Sequence, residues 1–220
     1  MNNCLLCGEL INQQDNFQQL LSFSPLFSSC LCQQCLEQFK LLIPTERCPY
    51  CFGQLPCFEC KKWQKLSLNH FALFSYNQQA KEWLNRYKIQ GDYRLKTSFS
   101  TLIYNKLYPE IKHGWMLVPI PLDKIKYKKR GFNQVTALLE SAHLPYAMLL
   151  HKEVTPIAQG LKNKKERLAM PQLFSFIKTE QQYEKVIVVD DIYTTGRTIT
   201  RAYECLYPHV KKIKSFSLFR

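Results

Sequence analysis

The sequence predicts an α/β fold, a parallel sheet flanked by helices, with a small cysteine-rich domain in front of it. Three observations carry this. Val186–Val189 are four consecutive branched apolar residues, the pattern of a strand buried on both faces of a parallel sheet. From residue 77 onward, strand-like and helix-like segments alternate, as they do when helical crossovers join parallel strands. Nine of the ten cysteines lie in the first sixty residues, mostly as C-x-x-C pairs.

The pairs are Cys4/Cys7, Cys32/Cys35, Cys48/Cys51 and Cys57/Cys60. A C-x-x-C knuckle lets two thiolates bind one metal, and two knuckles complete a tetrahedral S₄ zinc site. Disulfides are the competing reading. MNNCLLCGEL has no basic stretch followed by an apolar one, so it does not read as a secretory signal, and that argues against them. Cys48, Cys51, Cys57 and Cys60 are close enough to close one compact site, which leaves Cys4 and Cys7 for Cys32 and Cys35. Cys30 is left over and could replace Cys32. With every position filled by protein, the expected role of two zinc ions is structural. This zinc domain spans residues 1–66, a joint falls at 61–67, and residues 67–220 form the α/β part.

Asn77 reads as an N-cap, followed by Ala80, Trp83, Leu84 and Tyr87 at helical spacing, with Gly91 ending that helix. Leu95, Phe99, Leu102, Ile103 and Leu107 line a second helix that Pro109 closes. Met116–Ile120 is a strand interrupted by Pro119. Lys124–Arg130, KIKYKKR, reads as a basic loop, and Gln134–Ala142 as the next helix. Tyr146–Leu150, Leu173–Ile177 and Ile213–Phe219 are further strands. Between them, residues 155–174 form a second basic stretch with Lys162, Lys164, Lys165 and Arg167, framed by Gly160 and Pro171 like a closing loop.

The chemistry concentrates in VIVVDDIYTTGRTIT, residues 186–200. Asp190 and Asp191 end the buried strand. Thr194, Thr195, Gly196, Arg197 and Thr198 form a turn, and a helix follows over Ile199–Leu206. Turn amides and a helix N-terminus donate to a phosphate. No lysine stands where a nucleotide-triphosphate loop requires one. Carboxylates would repel a bare phosphate but accept hydrogen bonds from a sugar diol, with Mg²⁺ nearby. A ribose 5-phosphate unit fits both halves of the loop. The bland alternative is a strand followed by an ordinarily capped helix. Lys129 and Arg130 follow another strand of the sheet, where residues gather around the ligand crevice, and are candidates for a pyrophosphate group.

DDIYTTGRT resembles the phosphoribosyl pyrophosphate (PRPP) signature of type I phosphoribosyltransferases. With the C-x-x-C pairs, VPIPL at 118–122, RGFNQ at 130–134 and the Gln159…Arg167…Phe174 segment, nearly the whole chain resembles the ComF family. The resemblance implies a type I phosphoribosyltransferase-like sheet, PRPP with Mg²⁺ as ligand, and a competence role in handling incoming single-stranded DNA beside a helicase-type partner. It implies a cytoplasmic protein, with the inner face of the membrane as a place of work. Met170 stands where relatives usually carry Asn, and Arg197 where a small residue is common. Thr194 stands where 6-oxopurine salvage enzymes carry an Asp, which argues against that substrate class.

A formal net charge of +13, about +9 with two tetrathiolate zinc sites, favours polyanionic partners. No apolar run approaches the ~20 residues of a membrane span. No Ser-His-Asp order or metalloprotease motif appears, and the five histidines are scattered. Two alternatives to a PRPP-binding competence protein stay open: a working transferase on a nucleobase-like acceptor, and a zinc-organised nucleic-acid adaptor with a degenerate pocket.

Overall fold

The structure, a computed structural model, describes residues 2–11, 25, 27, 30–57, 69–152 and 174–220. Near the N-terminus, strands β1 (Asn2–Asn3) and β2 (Leu10–Ile11) pair antiparallel across the Cys4–Cys7 knuckle, and helix α1 (Gln33–Glu37) carries Cys35. The main sheet has four parallel strands in the order β3 (His70–Phe74), β8 (Lys212–Phe219), β7 (Lys185–Ile192), β4 (Met116–Pro119). This is the α/β architecture that the sequence predicts.

Strand β7 is central because its sequence suits burial on both faces. Val186, Ile187 and Val188 are each 0% exposed. Alternate residues feed opposite layers. Ile187 and Val189 face Trp83, Leu107, Val135 and Leu139. Val186 and Val188 face Ile199, Ala202 and Leu206. Those layers are built by α2 (Gln78–Leu84), α3 (Ser100–Lys112) and α5 (Gln134–Ser141) on one side and α6 (Arg197–Leu206) on the other.

Asn77 caps α2 as expected, accepting from the Ala80 amide at 2.9 Å. The chain then widens into a π-turn over Asn85–Ile89 before Gly91. Pro109 does not close α3, which runs on to Lys112. The basic run Lys124–Arg130 is a helix, α4, not a loop. Asp123 caps it, accepting from the Lys126 amide at 2.8 Å, and Gly131 in the left-handed region (φ 84°) ends it.

The strands depart from the sequence reading at three places. HFALF, unassigned from sequence, forms edge strand β3. The strand expected at Tyr146–Leu150 contributes only a bridge from Tyr146 to Leu117, and the extended segment is β5 (Leu150–Lys152). It pairs antiparallel with β6 (Phe174–Phe176), outside the parallel sheet. Pro119 does not stop β4 from pairing. It sits in register with Val189, and the next amide, Ile120, reaches the Val189 carbonyl at 2.9 Å.

Residues 40–42 run along the outer edge of β3. The Leu42 amide donates to Leu73 O and the Ser75 amide to Lys40 O, both at 2.8 Å. Phe39 meets Phe99 at 4.9 Å and Phe74 at 5.8 Å between ring centroids, so the cysteine-bearing segment shares the aromatic core of the sheet.

Candidate functional site

The carboxyl ends of β7 and β4 bring the predicted acidic loop and the RGFNQ segment to one corner, as expected for ligand sites in open parallel sheets. Asp190 and Asp191 are the last acidic residues of β7 and lie 8% and 1% exposed. Asp190 folds back to accept from the Asp191 amide at 2.9 Å. Burial, and next the Asp191 charge beside it, push the Asp190 carboxyl well above the usual carboxylate range, against the pull of Lys88.

Lys88 is the charged residue of this corner that sequence reading missed. Its Nζ lies 2.6 Å from Asp191 Oδ2, in a largely buried ion pair. The π-turn sets it there, and Arg130 locks that turn by donating from Nε to Lys88 O at 2.9 Å. Arg130 also bonds Gln134 Oε1, and Tyr87 donates from its hydroxyl to Gln134 O at 2.9 Å. The corner therefore has its own resident cation. Among the predicted pyrophosphate candidates, Arg130 is half-buried in this network, whereas Lys129 is exposed on α4. Arg167 lies outside the described residues. No alternation or motif marks Lys88; only the unusual turn does.

Thr194 and Thr195 are exposed, and Arg197 and Thr198 are partly so. Gly196 is the N-cap of α6, in the left-handed region at φ 74°, and no side chain caps the helix. Its backbone amides therefore keep the uncapped helix N-terminus that an anion favours. Gly196 is required for a reason the sequence did not reveal: a Cβ there would collide with the Tyr193 hydroxyl and its ring carbon. Tyr193, 3% exposed, packs on His70 with ring centroids 4.3 Å apart and planes tilted by 35°, and carries the Arg220 guanidinium over its ring at 4.5 Å.

The cysteines fall into the expected groups. The sulfurs of Cys4, Cys7, Cys32 and Cys35 lie within 4.8 Å of one another, and so do those of Cys48, Cys51 and Cys57. Cys60, the expected fourth ligand, lies outside the described residues. Tetrahedral zinc at ~2.3 Å per bond sets sulfurs about 3.8 Å apart, against ~2.05 Å in a disulfide. Cys7 and Cys32 sulfurs are 3.6 Å apart, and those of Cys51 and Cys57 are 3.5 Å apart, so the thiols fit a metal and not a disulfide. Burial raises the Cys4 thiol, but amides of Cys7, Cys32 and Leu6 outweigh it and bring the thiol down to about 6, poised as a thiolate. Cys30 stands apart from this group: its sulfur meets Ser98 Oγ at 3.4 Å, where Trp83 Nε1 also donates at 3.0 Å, while Cys32 is the one whose sulfur converges with Cys4, Cys7 and Cys35.

No family model matches the chain. Among curated proteins it is 38% identical to competence protein ComFC of Streptococcus pneumoniae over 99% of both chains. It is 32% identical to competence protein ComFC of Bacillus subtilis over 99% of this chain and 94% of that one. Competence protein F of Haemophilus influenzae is 26% identical over 80% of this chain and 83% of its own. With the cysteine groups, the acidic strand end and the glycine-capped loop all in place along a near full-length match, the chain belongs to the ComF family of competence proteins.

Proposed function

We propose that this protein serves competence by binding a PRPP-type ribose phosphate at the corner after β7 and by handling single-stranded DNA. One observation carries the ligand reading: two buried carboxylates end the central strand directly before exposed threonines and an uncapped, glycine-led helix N-terminus. Acids facing the diol and amides facing the phosphate divide one ligand between two oppositely charged halves. Positive charge is already taken up beside Asp191 by Lys88, so a ligand reaching the acids exchanges with that ammonium. Mg²⁺, when bound with PRPP, would offset the pyrophosphate charge near Asp190 and Asp191. Arg130 and Gln134 hold the Lys88 turn in place.

Titration of PRPP with Mg²⁺ by calorimetry tests this reading. Saturable binding is expected, lost in the double variant Asp190→Ala, Asp191→Ala. Binding that survives the double variant would refute it.

The single-strand part rests on α4, where Lys124, Lys126, Lys128 and Lys129 are exposed together with Tyr127 at 52%. A row of ammoniums with an aromatic face among them suits phosphates and an unstacked base.

A further inference from the structure

The second cysteine knuckle and the ligand loop are joined by one side chain. Arg220, which follows β8, donates from Nε to Cys51 O at 3.0 Å and from Nη2 to Cys51 Sγ at 3.8 Å. From Nη1 it reaches Thr194 O at 3.4 Å. Its guanidinium covers the Tyr193 ring, which in turn lies against Gly196. The knuckle leaves room for it at Gly53, where a Cβ would come within 2.7 Å of Arg220 Nη2. The Tyr193 amide meanwhile donates to Phe219 O at 2.9 Å, so the backbone ahead of Arg220 fixes the same loop.

We infer that Arg220 is a positioning residue through which metal in the Cys48–Cys51–Cys57 site sets the conformation of the Tyr193–Thr198 loop. The physical basis is geometric: one guanidinium grips both the Cys51 carbonyl and sulfur on one side and the Thr194 carbonyl on the other, so what fixes the knuckle backbone around Cys51 also fixes the loop. Metal in the knuckle therefore holds the Arg220 fork rigid, and the fork's other branch holds Thr194. A planar, multi-donor group is needed to serve both ends; a lysine has a single point of attachment. The link belongs to the second cysteine group, because the sulfur that Arg220 reaches is that of Cys51. The consequence for PRPP rests on the ligand reading given above; the loop coupling does not.

Amide hydrogen exchange over residues 193–200, in the zinc-loaded full chain without ligand, tests the coupling. Arg220→Ala should speed exchange there at least about tenfold while both metals stay bound. Cys57→Ser, which removes the second metal, should do the same in the parent chain and add nothing in the Arg220→Ala background, as members of one pathway do. Arg220→Lys should restore part of the protection. Cys7→Ser, which disturbs the first group, should leave the loop unchanged. Unaltered exchange in Arg220→Ala, additive effects of Arg220→Ala and Cys57→Ser, or an equal effect of Cys7→Ser would overturn the proposal. If Cys57→Ser fails to fold, chelator removal of the metal from the folded parent and Arg220→Ala chains takes its place, and unaltered exchange in Arg220→Ala still overturns the proposal. A separate titration should show PRPP binding weakened at least about fivefold by Arg220→Ala. If the parent chain binds no PRPP, the ligand reading fails while the exchange result stands.

Discussion

Gly196 illustrates how a residue can be legible for the wrong reason. A glycine beside threonines suggests close approach to a ligand, but the side chain that excludes a Cβ is the protein's own Tyr193. Gly196→Ala meets both that ring and a φ of 74°, so it should cost about 1–3 kcal/mol, read as a lower urea midpoint, and weaken PRPP binding with it. The cysteines are more transparent, because C-x-x-C spacing has one dominant use. Zinc content should fall in Cys32→Ser and stay whole in Cys30→Ser, since Cys30 faces Ser98. His70 had no sequence signal at all. It is buried in β3, with Nδ1 2.9 Å from Ser215 Oγ and Nε2 3.0 Å from Ser217 Oγ. Burial, and then the Arg220 charge, hold it down to about 3. The unfolded chain, with a value near 6.5, binds a proton that the native state refuses, so this stabilising term is complete above pH 6.5 and is lost on descent toward pH 3. Between pH 6.5 and 5.5 the parent chain should lose about 1 kcal/mol more than His70→Gln, measured by urea unfolding at each pH.

At the scale of elements, the α/β alternation was legible wherever apolar periodicity and caps agreed. Asn77 and the Val186–Val189 run are examples, and both stand where expected. Misreadings came from elements whose stability is tertiary. Strand β3 is five residues long and borrows its order from β8, so nothing local announces it. Helix α4 is basic at five of seven positions, which reads as a loop until Asp123 and Gly131 are recognised as its two caps. Asp123→Ala should loosen α4 by about 1 kcal/mol, seen as faster exchange of its amides. If α4 carries the single strand, replacing Lys128 and Lys129 by Ala should reduce the slope of log K against log salt by about 0.7 for each phosphate no longer neutralised. Identical slopes would move the interface elsewhere.

Across the whole molecule, each cysteine group packs against the sheet among the described residues, the first through one buried cluster and Cys48 and Cys51 through another that holds Val186 and Val188. Cys4, Leu31, Cys35 and Phe39 lie in the same buried cluster as Trp83, Ile187 and Phe219. From the sequence the cysteine-bearing segment and the sheet read as two parts; their shared aromatic contacts could not be read from it, because residues 39, 74, 99 and 219 meet only in three dimensions. Stripping both metals with a chelator should therefore lower the thermal midpoint of the sheet as well as that of the N-terminal segment. No helix among the described residues is long and apolar enough to cross a membrane. Residues 40–42 have a further effect. They close hydrogen-bonding groups of β3 that would otherwise run unpaired along the sheet border. A chain trimmed to begin at residue 69 would present that border, with Phe74 beside it, as a template for its own kind. The excised half should elute as dimers and larger stacks, growing with concentration, while the intact chain shields that border with its own backbone.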